Sequence, residues 1–124
     1  MEAPRHIAFH NLATSPALEA LIRREATKLE RIAGKVVRWR VVVEAPHHRH
    51  HKGNQFFTTI HLTLPRTEVV VTREPGDEHL HEDAYLSVRD AFREATRQVE
   101  DLHRRRKARA ARRAAQRERS EPLG

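Results

Sequence analysis

Arg24, Lys28, Arg31 and Lys35 follow one another at spacings of four, three and four residues. In an α-helix that spacing puts all four cations on one face. Arg89, Arg93 and Arg97 repeat the device, and Arg104 continues it. A row of fixed positive charges suits one chemistry above others, the binding of a phosphate backbone. Beyond these rows lies the densest cationic stretch: residues 103–119 hold nine Lys/Arg (Arg104, Arg105, Arg106, Lys107, Arg109, Arg112, Arg113, Arg117, Arg119) against one acid, Glu118. Residues 1–102 hold 15 basic and 15 acidic residues, so the chain's net charge of +7 comes from its end. A near-neutral body with a basic arm implies that the body packs and places while the arm attracts a polyanion at long range. The plainer reading of the helical rows is a solvated surface, with Glu25, Glu30, Glu94 and Glu100 as pairing partners.

Other reactive side chains give less. The stretch Ala45-Pro46-His47-His48-Arg49-His50-His51-Lys52-Gly53-Asn54 sets four imidazoles at His-x-x-His spacing, a pattern that binds zinc or nickel when the backbone is rigid. Arg49 and Lys52 among them oppose a divalent cation, so we expect no metal there. The stretch reads instead as a solvated or RNA-facing loop through His47, His48, Arg49, His50, His51 and Lys52. Ser15, Ser87 and Ser120 are the only serines. None sits on a strand-to-helix elbow, and no glycine-rich phosphate loop exists, so neither a catalytic residue nor a cofactor is expected. His79, His81, Glu82 and Asp83 could mimic an acid–base group, but capping of the next helix explains the acids more simply. Trp39, Phe56 and Phe57 fall in strands, where core packing is a simpler role than stacking on bases.

The elements that must position these residues follow from periodicity. Arg5–His10 alternates as a short strand. Ser15 and Pro16 open a helix that Gly34 closes, with Leu18, Leu21, Ile22, Ala26, Leu29 and Ile32 on one side. Val36–Glu44, Gln55–Leu64 and Glu68–Arg73 read as strands. A second helix begins near Glu82–Asp83, carries Tyr85, Val88, Phe92, Ala95, Val99 and Leu102 at helical spacing, then loses its apolar repeat while its composition stays helical. The order β-α-β-β-β-α predicts an α+β fold, a four-stranded sheet with two helices packed on one face. The body spans residues 1–102 and the basic extension residues 103–124, projecting as solvated helix or as a tail that orders on binding. At 124 residues the chain suffices for one domain without staples. With no Cys, no apolar leader and no run of about 18 apolar residues, the expectation is a cytosolic protein without a membrane role.

In this order the motifs resemble a known family. Leu29-Glu30-Arg31 closes the first helix, and His81-Glu82-Asp83-x-Tyr85 enters the second. Val88-Arg89-Asp90-Ala91-Phe92 follows, then Arg97-Gln98-Val99-Glu100-Asp101. Together they make residues 5–105 look like a ribosome hibernation-promoting factor, also called a ribosome-associated inhibitor or subunit-interface protein. The stretch from Val41 to Asn54 is similar to one bacterial branch of that family. The resemblance implies a non-enzymatic bacterial protein, a monomer off the ribosome, that docks in the cleft of the small ribosomal subunit. There it would touch ribosomal RNA, exclude messenger and the A- and P-site transfer RNAs, and inhibit translation reversibly in stress or stationary phase. Carried over, the RNA-contacting candidates are Arg23, Arg24, Lys28, Arg31 and Lys35 on the first helix and Arg89, Arg93 and Arg97 on the second. Arg104, Arg105, Arg106, Lys107, Arg109, Arg112 and Arg113 of the arm join them on charge alone. Long family members carry a separate C-terminal dimerisation domain for which this chain leaves no room, so self-driven ribosome pairing is not expected. The His-rich loop and the arginine arm are not general to the family. The alternative is a general RNA-binding or RNA-chaperone protein without a ribosomal site, since the helix–sheet layout is also that of double-stranded-RNA-binding domains.

Overall fold

The computed structural model describes residues 3–45, 56–72 and 83–120. Their order is β1 (Arg5–His10), α1 (Pro16–Ala33), β2 (Arg38–Glu44), β3 (Phe57–Thr63), β4 (Glu68–Val71) and α2 (Ala84–Ser120), the expected α+β sequence of elements. Local chemistry sets the helix ends. Ser15 is extended, and its hydroxyl accepts from the Leu18 amide at 3.2 Å while Pro16 occupies a first-turn position that needs no N–H. Gly34 ends α1 at φ 85°, in the region that favours glycine, and its N–H donates to the Glu30 carbonyl at 2.9 Å. Asp83 caps α2: its side chain accepts from the Tyr85 amide at 2.8 Å and its carbonyl from the Ser87 amide at 3.1 Å. The capping role expected of the acids before this helix therefore holds for Asp83, whereas His79, His81 and Glu82 lie outside the described residues.

The sheet order is β1-β2-β3-β4, with β1 parallel to β2 and the other pairs antiparallel. Trp39, Val41 and Val43 of β2 alternate inward with Ile60 and Leu62 of β3 and Val69 and Val71 of β4. Against them pack Leu18, Leu21, Ile22, Ala26 and Leu29 of α1 and Val88, Ala91, Phe92, Ala95 and Val99 of α2. Trp39 belongs to this core, its ring 5.8 Å from that of Phe92, and Phe57 is half-buried in β3. Two expected stripe members do not enter the core. Ile32 is 43% and Tyr85 39% exposed; each sits at the rim of its stripe in a terminal turn, where the apolar period outlasts the packing. β2 begins at Arg38, later than the expected Val36, and β4 runs from Glu68 to Val71 and covers its whole apolar run.

Contacts fix the helix directions. Ser87, early in α2, meets Thr58 at the start of β3, their hydroxyl oxygens 2.9 Å apart. Fifteen residues on, Leu102 lies beside Arg66 and Thr67, just past the end of β3. Glu30, near the end of α1, meets Trp39, whose partner Leu62 is also near the end of β3. Both helices thus run along β3 in the same direction, parallel to each other. At 1.5 Å per residue the 37-residue α2 is about 55 Å long, while a seven-residue strand covers about 23 Å. The sheet runs out under α2, and every residue from Arg104 to Ser120 is exposed.

Candidate nucleic-acid interface

The body cations separate into groups. Arg24, Lys28 and Arg31 share an exposed side of α1, as their spacing predicts. Lys35 does not belong to that helical face, because α1 stops at Ala33 and Gly34 turns the chain away. Arg23 points to another side: its carbonyl accepts from Arg5 of β1, and its guanidinium holds Glu19 at 2.9 Å. On α2, Arg89 and Arg93 line a groove with Phe92, Thr96 and Glu25 of α1. The groove thus holds the first two arginines of the α2 row, and α1 contributes Glu25 to it, the acid that also pairs with Lys28 of the α1 row.

Acids temper this surface. Lys28 pairs with Glu25 at 3.7 Å. Glu94 clasps Arg97 with two hydrogen bonds, 2.9 Å to Nε and 2.6 Å to Nη2. That hydrogen bonding, with the charge of Glu94, raises the pKa of Arg97 above its ordinary value, so phosphate would have to displace a bidentate carboxylate to reach it. Such exposed pairs are worth about 0–1 kcal/mol and yield readily to a polyanion. Arg24, Arg31, Arg89 and Arg93 make no ion pair among the described residues. Glu30, a suggested partner of the row, turns inward instead, accepting from Trp39 Nε1 at 2.6 Å and pairing with Arg5 at 3.3 Å.

The arm is an exposed helix through Ser120. Asp101 pairs with Arg105 at 2.8 Å and Arg104 at 3.6 Å. Past these, Arg106, Lys107, Arg109, Arg112 and Arg113 have no carboxylate partner among the described residues. The His47–Lys52 candidates lie outside the described residues. Elsewhere no group of three or more His, Cys, Asp or Glu that could hold a metal occurs among the described residues, and none of their helices is long and apolar enough to cross a membrane. Ser87 is buried against Thr58 and has no access to a substrate.

Sequence reading missed two cations. Arg5 carries no role in the sequence reading beyond its place in a strand; its side chain is 5% exposed, and it also donates to Thr27 at 3.0 Å. Arg66, in the turn between β3 and β4, carries no role in the sequence reading, and it faces Arg105, Arg106, Arg109 and Arg113 across a notch. A signal for the second was present: Val99, Leu102, Arg106, Arg109 and Arg113 keep the three–four spacing, so these arginines continue the face that packs on the sheet.

A mixed four-stranded sheet backed on one face by two parallel helices with cationic outer sides defines a small basic α+β domain. The chain belongs to the Sigma 54 modulation protein / S30EA ribosomal protein family, whose model matches residues 6–107. The fold is similar to the N-terminal domain of Thermus thermophilus Protein Y, with a TM-score of 0.62 and 18% identity over 82% of this chain and 99% of that one. It is also similar to a ribosomal subunit interface protein from Coxiella burnetii, with a TM-score of 0.61 and 14% identity over 81% of this chain and 97% of that one. No curated protein sequence matches significantly.

Proposed function

We propose that this chain is a ribosome hibernation factor. It binds the small ribosomal subunit in the cleft that holds messenger and the A- and P-site transfer RNAs, and it inhibits translation reversibly in stress or stationary phase. It works by occupancy and not by catalysis: a preformed wedge lies on ribosomal RNA and leaves no room for decoding ligands. Arg24, Lys28 and Arg31 contact RNA from the exposed side of α1 and Arg89 and Arg93 from α2, with Arg23, Lys35 and Arg97 contacting it from outside these faces. Arg104, Arg105, Arg106, Lys107, Arg109, Arg112 and Arg113 speed encounter and anchor the complex. The protein is cytoplasmic and monomeric away from the ribosome, and it needs no cofactor. The observation that carries this reading is the family match over residues 6–107, coinciding with exposed rows of cations on both helices.

The test is co-sedimentation with small subunits across a salt series, followed by competition with initiator transfer RNA. If about five arm cations meet phosphates, a fourfold rise in salt weakens binding by on the order of a few hundred-fold. Failure to sediment with subunits at low salt refutes the proposal. Binding that leaves transfer RNA in place reduces the protein to a general RNA binder.

A further inference from the structure

The notch under the overhanging part of α2 is a cationic surface separate from the interhelical groove. Its floor is the end of the sheet-facing stripe, Leu102, and one wall is the β3–β4 turn carrying Arg66. The other wall is α2 with Arg105, Arg106, Arg109 and Arg113; no carboxylate lines the cavity, and of these four only Arg105 is paired among the described residues, with Asp101 at 2.8 Å. The groove differs in composition, because Glu25 stands beside Arg89 and Arg93 there. At 100° per residue, Arg106, Arg109 and Arg113 centre roughly 150° around α2 from Arg89 and Arg93. Along the axis Arg109 lies about 30 Å beyond Arg89. One straight run of backbone cannot reach both sets from the same side.

We propose that this notch is a second RNA-backbone site, so that the chain grips two RNA segments, one in the interhelical groove and one between the β3–β4 turn and the arm. The proposal rests on the ribosome-docking reading for its source of structured RNA. Guanidinium forks on two facing walls match a phosphodiester strand better than a flat membrane. The arm's non-basic positions are mostly Ala and offer little to insert into lipid. Arg66 is the diagnostic residue, because it belongs to the sheet and not to the arm. A loosely attracted helix would not need it.

The chain has no cysteine, so single thiols can carry a tethered hydroxyl-radical source on the full-length protein bound to small subunits. Ala110→Cys reports on the notch. Ala20→Cys, exposed one turn before Arg24, reports on the groove. The expected result is cleavage of two distinct ribosomal RNA segments, together with a fall of about one in the salt slope of binding for Arg66→Ala. Cleavage from Ala20→Cys alone, or of one shared segment by both probes, overturns the second site and leaves ribosome docking intact. Silence from both overturns the docking reading and the notch with it. Cleavage from Ala110→Cys alone supports the notch and moves the fault to the groove. Loss of binding to phosphatidylserine vesicles in Arg66→Ala, with RNA affinity unchanged, would assign the notch to lipid and refute the proposal.

Discussion

Replacing Glu30 by Ala should destabilise the domain far more than removing any other acid near the basic rows. Its carboxylate accepts from Trp39 Nε1 at 2.6 Å and pairs with Arg5 at 3.3 Å. Arg5 and Glu30 are 5% and 17% exposed, so neither charge is well hydrated. The cluster joins β1, α1 and β2, and Arg5 adds bonds to the Arg23 carbonyl at 3.3 Å and the Thr27 hydroxyl at 3.0 Å. Losing the carboxylate removes the Glu30 ion pair from a buried guanidinium and the acceptor from the Trp39 indole N–H. Breaking one side of such a pair costs about 3–5 kcal/mol, against about 0–1 kcal/mol for an exposed pair. For a chain of this length about 3 kcal/mol corresponds to a fall of roughly 10 °C in melting temperature. Denaturant unfolding at unchanged m-value reads the difference directly, with Glu19→Ala, which removes the exposed Arg23 pair, as the surface control. The double variant Arg5→Met/Glu30→Leu should recover most of the loss, because it removes both charges and keeps the volume. A cost below about 1 kcal/mol for Glu30→Ala would refute the reasoning, since such a value is that of a solvated ion pair.

Two further outcomes follow. Thr58→Val leaves the buried Ser87 hydroxyl without its 2.9 Å partner and should cost about 1–3 kcal/mol by thermal unfolding, while Thr58→Val/Ser87→Ala should cost less because both polar groups go. A chain ending after His103 should keep its melting temperature within a few degrees, because Arg104 to Ser120 are all exposed. Its affinity for small subunits should drop steeply in the same buffer; a collapsed melting curve would show that the arm is packed.

Much of this architecture could be read from spacing alone. The three–four repeats at Leu18–Leu29 and Val88–Val99 identified the buried faces, and Ser15, Pro16 and Gly34 marked the ends of α1. Periodicity fails where the answer depends on a neighbour. Arg5 and Glu30 carry no pattern that announces burial. They become a pair because the parallel β1–β2 register sets Arg5 opposite Trp39 and α1 passes over both. Ser87 could be dismissed as a nucleophile from its context, but its hydroxyl contact with Thr58 depends on how α2 lies on β3.

The same distinction decides what the arginines mean. A helical row says that cations share a face and is silent on what that face meets. On the body helices the answer is mixed, because neighbouring carboxylates hold Lys28 and Arg97. Under the overhang the repeat that buries Val99 and half-buries Leu102 goes on to place Arg106, Arg109 and Arg113 where the sheet has ended. A face patterned to pack against something has lost its intramolecular partner and gained charge, and Arg66 meets it from the sheet side. Other arm cations, among them Arg104, Lys107 and Arg112, lie elsewhere around the helix, so it is the three on this face that meet Arg66. Arginines on α2 set opposite a cation from another element, with no carboxylate lining the space between, favour an anionic ligand held between two walls.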